Sequence, residues 1–260
     1  MPGRFSHLEF DDNRRRQERQ RPPGVEQPSA AQYLQLADDE QHWGRFEPAL
    51  QFYTKCLEEN RRTVPAWVGQ VQMLVQLSEY HEARLWADKA LEIFRNNGEL
   101  LAAKAQACLR QGDRKAAYAC SDASLQVEGS SPWRWQARGE VLLESGEKLH
   151  ESCFKKALAE AGADWFDRII IAQMYLFYRK ASAAFEYARK ATELRPDAGY
   201  TWFVMGNTQR ALGLAAAADQ SYSRCLELRP DFLEARAAMT DSSADSFIIR
   251  VLRRLGWRRS

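Results

Sequence analysis

The sequence predicts an all-α fold, a solenoid of about six tandem helical hairpins that ends in a C-terminal capping helix. The first observation is a period of 33 or 34 residues, typical of repeat architectures, on which small residues recur at Cys56, Ala90, Ala123, Ala157, Ala191 and Cys225. A second register lies seven residues earlier on the same helix face and comprises Ala49, Ala83, Ala116, His150, Ala184 and Ala218. A third register marks a preceding helix, 11 or 12 residues earlier still, and comprises Ala37, Val71, Ala105, Gly139, Ala172 and Gly206.

Large side chains and turn residues support this assignment. One helical turn before each residue of the third register stand Tyr33, Trp67, Leu101, Trp135, Arg168 and Trp202. Small residues let two antiparallel helices approach closely, and the large side chain fills the space between one hairpin and the next. Gly112, Gly146 and Gly213 predict turns within hairpins, and the sequence Leu-Arg-Pro-Asp at 194–197 and 228–231 predicts the end of a hairpin.

The pattern resembles the tetratricopeptide repeat family, whose 34-residue helix-turn-helix unit carries a W…L-G…Y…A…F…A…P pattern. The sixth unit matches it almost position for position, at Trp202, Gly206, Gly213, Ala218, Tyr222 and Pro230. The third and fourth units are one residue short between their helices, and Arg168 replaces an aromatic residue. His150 occupies an alanine position, where we expect a satisfied side chain rather than a ligand.

Four segments follow from this reading. Residues 1–29 hold four of the nine prolines and are expected to form a flexible arm. Residues 30–230 form the six repeats, residues 231–244 a capping helix and linker that cover the last apolar face, and residues 245–260 a basic amphipathic tail helix.

Composition excludes several classes of protein. The net charge is +2, but residues 246–260 contain five arginines and no acid, so the remaining positions carry more acidic than basic residues. The mean hydropathy of −0.55 and the lack of a long apolar run argue against a membrane span. The first residues lack the apolar segment of a signal peptide, and the five cysteines form no C-x-x-C pair. We therefore expect a cytoplasmic protein with reduced cysteines and no disulfide framework or zinc ribbon.

A catalytic function is not expected. The sequence contains no phosphate-binding glycine loop, no G-x-S-x-G and no H-E-x-x-H, and its four histidines are scattered. The family that the chain resembles is an interaction scaffold, which implies protein binding without a cofactor or a metal.

The resemblance also implies which face binds a partner, because the first helix of each repeat lines the concave surface. One position there reads Asp38, Gln72, Gln106, Glu140, Gln173 and Asn207. Amides at this position form either a ladder that pairs with a peptide backbone or a solvated polar stripe. A neighbouring position has no lysine, which argues against a carboxylate clamp, and reads Leu34, Val68, Ala102, Gln136, Ile169 and Phe203.

The first helix of the fifth repeat is apolar on nearly every side, so another surface must cover it. We predict a groove that binds a peptide or extended segment of another protein, lined by Gln72, Gln106, Phe166, Ile169, Gln173, Phe177, Tyr200, Phe203, Asn207 and Arg210. The alternative is that the curvature of the solenoid buries these side chains within the array.

The C-terminal tail leaves a second function open. Its amphipathic pattern comprises Phe247, Arg250, Val251, Arg253, Arg254, Leu255 and Trp257. It can serve as a further cap, a contact with an anionic membrane surface or a partner contact, whereas nucleic acid is not expected as a partner. The function is therefore a protein-binding adaptor or, alternatively, a peripheral membrane-recruitment adaptor that the tail anchors.

Overall fold

The computed structural model describes residues 28–160 and 163–240, which form thirteen α-helices and no strand. The helices are α1 (Ala30–His42), α2 (Phe46–Glu59), α3 (Val64–Gln76), α4 (Tyr80–Ile93), α5 (Gly98–Arg110), α6 (Arg114–Gln126), α7 (Pro132–Glu144), α8 (His150–Ala159), α9 (Trp165–Phe177), α10 (Ala181–Leu194), α11 (Gly199–Ala211), α12 (Ala215–Leu228) and α13 (Leu233–Thr240). The first twelve pair as six successive hairpins, so the expected all-α repeat fold is confirmed. Residues 1–27 of the expected arm and the tail at 245–260 lie outside the described residues.

Local sequence signals set where several helices begin. Side-chain oxygens accept backbone N–H groups at five helix N-termini, from Ser29, Asn97, Asp113, Ser131 and Asp164. These bonds satisfy donors that the first turn of a helix leaves without partners.

The turn inside each hairpin contains one residue in the left-handed region. These residues recur every 33 or 34 positions, at Gly44, Ser78, Gly112, Gly146, Arg179 and Gly213. The sequence predicted turns at three of these positions, Gly112, Gly146 and Gly213. Ser78 and Arg179 adopt φ of 63° and 60° without being glycine, which costs each roughly 1–2 kcal/mol that the packed hairpin offsets.

The helices of a hairpin pack closely where the small residues lie. A Cβ atom on Gly139 would lie 2.4 Å from the Phe154 ring, and one on Gly206 would lie 2.4 Å from the Tyr222 ring. The small residues therefore allow the close approach that the sequence pattern predicts, and an aromatic ring of the second helix occupies the space that the absent side chain leaves.

The register of the third hairpin differs from the prediction. Ala117 and Ser124 are fully buried, whereas Ala116 and Ala123 are partly exposed. Ala117 and Ser124 each follow a predicted residue by one position. They lie 34 residues after Ala83 and Ala90 of the second hairpin, so the buried pair keeps the repeat spacing. Only the fourth hairpin is therefore one residue short, in the turn before α8.

The last helix packs on the sixth hairpin. Ala235 and Ala238 are almost completely buried in the same apolar cluster as Phe203 and Tyr222. Phe232, just before α13, packs edge-on against Phe203 at 4.8 Å between ring centroids. The helix α13 thus covers apolar surface that the sixth hairpin would otherwise expose.

An unexpected set of contacts joins the first hairpin to the sixth. Gly44, in the turn between α1 and α2, approaches the Tyr200 ring so closely that a Cβ atom would lie 2.4 Å from it. Phe46 packs edge-on against Tyr200 at 5.9 Å, and Arg45 pairs with Asp231 at 2.9 Å. Arg229 donates to the carbonyl of Trp43. We call residues 42–46 and the residues that they contact in the fifth and sixth hairpins the clasp.

His42 adds an ion pair to the clasp. Its Nε2 lies 3.5 Å from Asp164 Oδ2, and its ring lies 4.6 Å from the Phe166 ring. Burial opposes a charge on His42, but contacts with Asp164 and the Asp38 carbonyl outweigh it and raise the pKa of His42. Burial also opposes a charge on Asp164, which by itself would raise the pKa of this carboxyl. Its hydrogen bonds with His42 and with the N–H of Phe166 outweigh burial, so the pKa of Asp164 is lowered.

The close approach of Gly44 predicts a local sensitivity to substitution. Gly44→Ala should lower the melting temperature more than Gly146→Ala, because both glycines have positive φ but a Cβ atom on Gly146 would meet nothing within 4 Å. Backbone strain costs each variant about 1 kcal/mol, and displacing Tyr200 costs Gly44→Ala roughly 1–3 kcal/mol more. Thermal unfolding followed by circular dichroism measures the difference. Equal losses of melting temperature in the two variants would show that the contact between Gly44 and Tyr200 does not stabilise the array.

The ion pair predicts a pH dependence. Because the pKa of His42 is raised in the folded state, its contribution to the free energy of unfolding is complete below the ordinary pKa of 6.5. This contribution is lost as pH rises through the pKa of the folded state. Because the pKa of Asp164 is lowered in the folded state, its contribution to the free energy of unfolding is present above the ordinary pKa of 3.8. This contribution is lost as pH falls through the pKa of the folded state. His42→Gln should therefore lower the melting temperature more at pH 5.5 than at pH 8, by about 1 °C, because the pair is partly exposed.

The control is His81→Gln, since His81 is exposed on α4. It makes the same chemical change outside the clasp, and the losses of His42→Gln at the two pH values are compared with those of this control. A loss for His42→Gln that does not change with pH would contradict the assigned pair.

Candidate partner-binding site

A cavity of about 320 Å³ lies on the inner face of the array, where the first helices of the first five hairpins converge. Its wall combines amides, carboxylates and apolar side chains from Gln41, His42, Gln72, Met73, Gln76, Glu99, Ser131, Pro132, Trp133, Gln136, Asp164, Phe166, Asp167 and Ile170. The clasp forms part of this wall through His42, Asp164 and Phe166. The volume lies at the small end of the range for ligand sites, so the cavity fits a few side-chain groups.

The amides of the first two hairpins are engaged with one another. Gln41 donates to Gln72 at 3.3 Å and accepts from the Tyr53 hydroxyl at 2.6 Å. The same hydroxyl lies 2.7 Å from a carboxylate oxygen of Asp38. These contacts fix the side of the cavity that α1 and α3 form.

The opposite side is held by a carboxylate at the start of α9. Asp167 accepts the backbone N–H of Asp164 at 2.9 Å and the side-chain N–H of Gln136 at 2.5 Å. Burial outweighs these bonds and raises the pKa of Asp167. Gln136 is 1% exposed, and its Oε1 has no partner among the described residues.

Two further lining residues have polar atoms without partners. Glu99, in the first turn of α5, forms no hydrogen bond or ion pair within residues 28–160 and 163–240. The indole N–H of Trp133 is buried and has no hydrogen-bond partner there either. Glu99, Trp133 and Gln136 therefore bring unused acceptors and an unused donor to the wall of one cavity.

The charge of the cavity is negative. Glu99, Asp164 and Asp167 contribute carboxylates, and His42 is the one potential cation among the lining residues. His42 already pairs with Asp164. The cavity therefore favours a cationic ligand.

The amides expected to form a ladder are mostly used inside the array. Gln72 lines the cavity. Gln106 donates to Glu140 at 2.7 Å, and Gln173 donates to the Tyr200 hydroxyl at 2.7 Å. Asn207 accepts from the Tyr222 hydroxyl at 2.9 Å. Each of these three amides thus has one side-chain atom bonded to a neighbouring helix, while the Oε1 of Gln173 is buried without a partner among the described residues, and their role in partner binding stays a prediction.

The other groove residues are distributed between the cavity and the packed interior. Phe166, Ile169, Tyr200 and Phe203 are at most 9% exposed within one apolar cluster, and of these four only Phe166 also lines the cavity. Arg210 is 8% exposed and pairs with Asp219 at 2.6 Å. Their packing agrees with the alternative that curvature buries them, and their role in partner binding stays a prediction.

Phe177 is engaged with a buried cation. Arg110 lies with its guanidinium 3.6 Å from the Phe177 ring centroid and pairs with Glu140 at 2.5 Å. Phe177 therefore stabilises a charged network between the third and fifth hairpins, and its expected contact with a partner also stays a prediction.

His150 and the buried cysteines fill structural positions. His150 Nδ1 lies 2.6 Å from the Glu147 carbonyl, and its ring packs edge-on against Phe154 and Tyr175. Burial raises the pKa of the Cys108 thiol to about 11 and that of Cys225 to about 12. No cluster of metal-ligating side chains occurs in the part of the chain that the structure describes.

The expected tail contacts lie outside the described residues, at Phe247, Arg250, Val251, Arg253, Arg254, Leu255 and Trp257. Among the helices within residues 30–240, none has the length and apolar character needed to cross a bilayer.

Sequence reasoning missed Glu99 and Trp133 because it considered the wrong part of each helix. Both lie six residues before the small residue of their helix, as does Phe166 in α9. The positions considered in the sequence directly follow the aromatic and the small residue. The helix starts converge on the cavity, so a scan of this earlier position would have found Glu99 and Trp133 beside Phe166, which the predicted groove already contained.

Comparisons with known proteins agree with the repeat assignment. A family model described as tetratricopeptide repeat matches residues 200–232. Superkiller complex protein 3 of Mus musculus is 28% identical over 152 residues, which cover 56% of this chain and 10% of that protein. The chain thus matches about a tenth of the length of this relative.

Two solved structures share the fold. A tetratricopeptide repeat protein from Parabacteroides merdae superposes with a TM-score of 0.52 and 16% identity, covering 91% of each chain. A thermophilic tetratricopeptide repeat protein from Thermus thermophilus gives a TM-score of 0.53 and 19% identity, covering 71% of this chain and 99% of the other. With the 34-residue hairpins and the family match at residues 200–232, these likenesses show that the chain has the fold of tetratricopeptide repeat proteins.

Proposed function

We propose that this protein is a non-catalytic scaffold that binds a segment of another protein in the inner cavity. The observation that carries the proposal is the buried indole N–H of Trp133, which has no partner among the described residues and lies on the cavity wall with the unpaired carboxylate of Glu99. Buried polar groups in folded proteins normally have partners. A bound segment would supply the partners that the array itself does not.

The fold supports a protein ligand. Tetratricopeptide repeat proteins generally mediate protein–protein interactions, and solenoids offer concave surfaces for them. The cavity mixes the apolar groups of Phe166, Met73 and Ile170 with amides and carboxylates. Such a wall can hold one or two side chains of a segment while polar groups fix its orientation.

The proposal places the protein in the cytoplasm. All five cysteines are free thiols, and Cys56, Cys108, Cys153 and Cys225 are buried. Buried free thiols are usual in a reducing compartment.

A charge reversal at the cavity tests the proposal. Glu99→Arg should reduce recovery of the partner at least tenfold, because it removes an unused carboxylate and places a cation beside the other lining groups. The measurement is affinity capture with the tagged full chain as bait, followed by quantitative mass spectrometry.

The matched control is Glu92→Arg, an equal charge change at an exposed glutamate on α4. Proteins recovered by the wild type and by the control, but lost with Glu99→Arg, are the specific partners. Circular dichroism should show equal helix content in all three chains. Identical recovery by the wild type and Glu99→Arg would contradict binding in the cavity.

A further inference from the structure

We propose that the cavity also binds, in cis, the arginine side chains of the chain's own C-terminal segment, residues 246–260, which then competes with a partner. This inference goes beyond partner binding. It rests on the chemistry of the cavity and of this segment, and does not require that any partner has been found.

Apart from the indole N–H of Trp133, the unused polar groups of the cavity wall are acceptors, which select a ligand rich in donors. Glu99 is a carboxylate without a partner, and Gln136 is 1% exposed with an unused carbonyl oxygen. Arginine carries five N–H donors and no acceptor, and its planar fork fits carboxylate and amide oxygens. The wall contains three carboxylates and one histidine, so its negative charges outnumber its positive charges.

The apolar part of the wall fits the same group. Phe166 and Trp133 place aromatic rings at the cavity, and a guanidinium stacks on such rings more readily than an ammonium does. The array already uses this contact elsewhere, since the guanidinium of Arg229 lies 4.4 Å from the Phe232 ring centroid.

The segment has the complementary charge. Residues 246–260 contain Arg250, Arg253, Arg254, Arg258 and Arg259 and no acidic residue. The described chain ends at Thr240 in α13, which follows Phe232. Ring contacts of 6.2 Å to Tyr200 and then 6.4 Å to Phe166 connect Phe232 with the cavity wall. Twenty further residues span up to roughly 65 Å when extended, so the arginines reach the cavity easily.

Tethering makes occupancy in cis efficient. A ligand tethered to the same chain has an effective concentration on the order of 1 mM at a site within its reach. A segment that binds in trans with a dissociation constant of about 0.1 mM would therefore weaken the binding of a competing ligand about tenfold.

The experiment uses two full-length chains, the wild type and a chain with R250Q, R253Q, R254Q, R258Q and R259Q. A fluorescein-labelled peptide of residues 246–260 is added to each, and its binding is followed by fluorescence anisotropy. We expect the neutralised chain to bind the peptide about tenfold more tightly than the wild type. Adding Glu99→Arg to the neutralised chain should abolish binding, whereas adding Glu92→Arg should not.

Three outcomes would overturn the inference: equal affinities of the two chains, binding that Glu99→Arg leaves unchanged, or no binding to either chain. Binding of the wild type, but not of the neutralised chain, to anionic vesicles without any peptide binding would assign the segment to a lipid surface instead. If partner capture still depends on Glu99 while the peptide does not bind, the proposed function stands and this inference fails.

Discussion

The contact between the first turn of the array and Tyr200 is the constraint on which the inner cavity depends. In a solenoid, each hairpin packs on its neighbours alone, so α1 and α9 have no reason to face each other. Gly44 and Phe46 pack on Tyr200, and Arg45 pairs with Asp231 across 186 positions of the sequence. These contacts bring helices from the first and fifth hairpins to the wall of one cavity.

The clasp combines apolar packing with a costly buried cation. Arg229 is 3% exposed, and burial together with Arg45 lowers its pKa. It has the Trp43 carbonyl and the rings of Trp43 and Phe232 as partners. Because hydrogen bonds and ring contacts only partly repay the loss of hydration, we attribute most of the stability of the clasp to the packing around Tyr200.

Local pattern predicted the hairpins, but the closure of the array could not be read from it. Small residues and turn glycines act between neighbours in sequence, so they predicted the helices well. The pattern failed at Ala116, where an adjacent alanine made two registers equally plausible, and at Ser78, which is not a glycine. The clasp depends on the rotation that accumulates over six hairpins, and no single residue encodes this rotation. The position of His42 at the cavity depends on the same rotation, so the sequence did not predict it.

The satisfaction of polar groups separates structural from binding residues better than residue type does. Gln106 and Gln136 occupy adjacent hairpins and are both almost fully buried. Each donates to a carboxylate, Gln106 to Glu140 at 2.7 Å and Gln136 to Asp167 at 2.5 Å, but of the two only Gln136 lines the cavity. An unused group alone is not sufficient, because Gln70 is fully buried with both side-chain polar atoms unpaired and does not line the cavity. A binding residue needs both an unused polar atom and a space that a ligand can enter, and Trp133 meets both conditions.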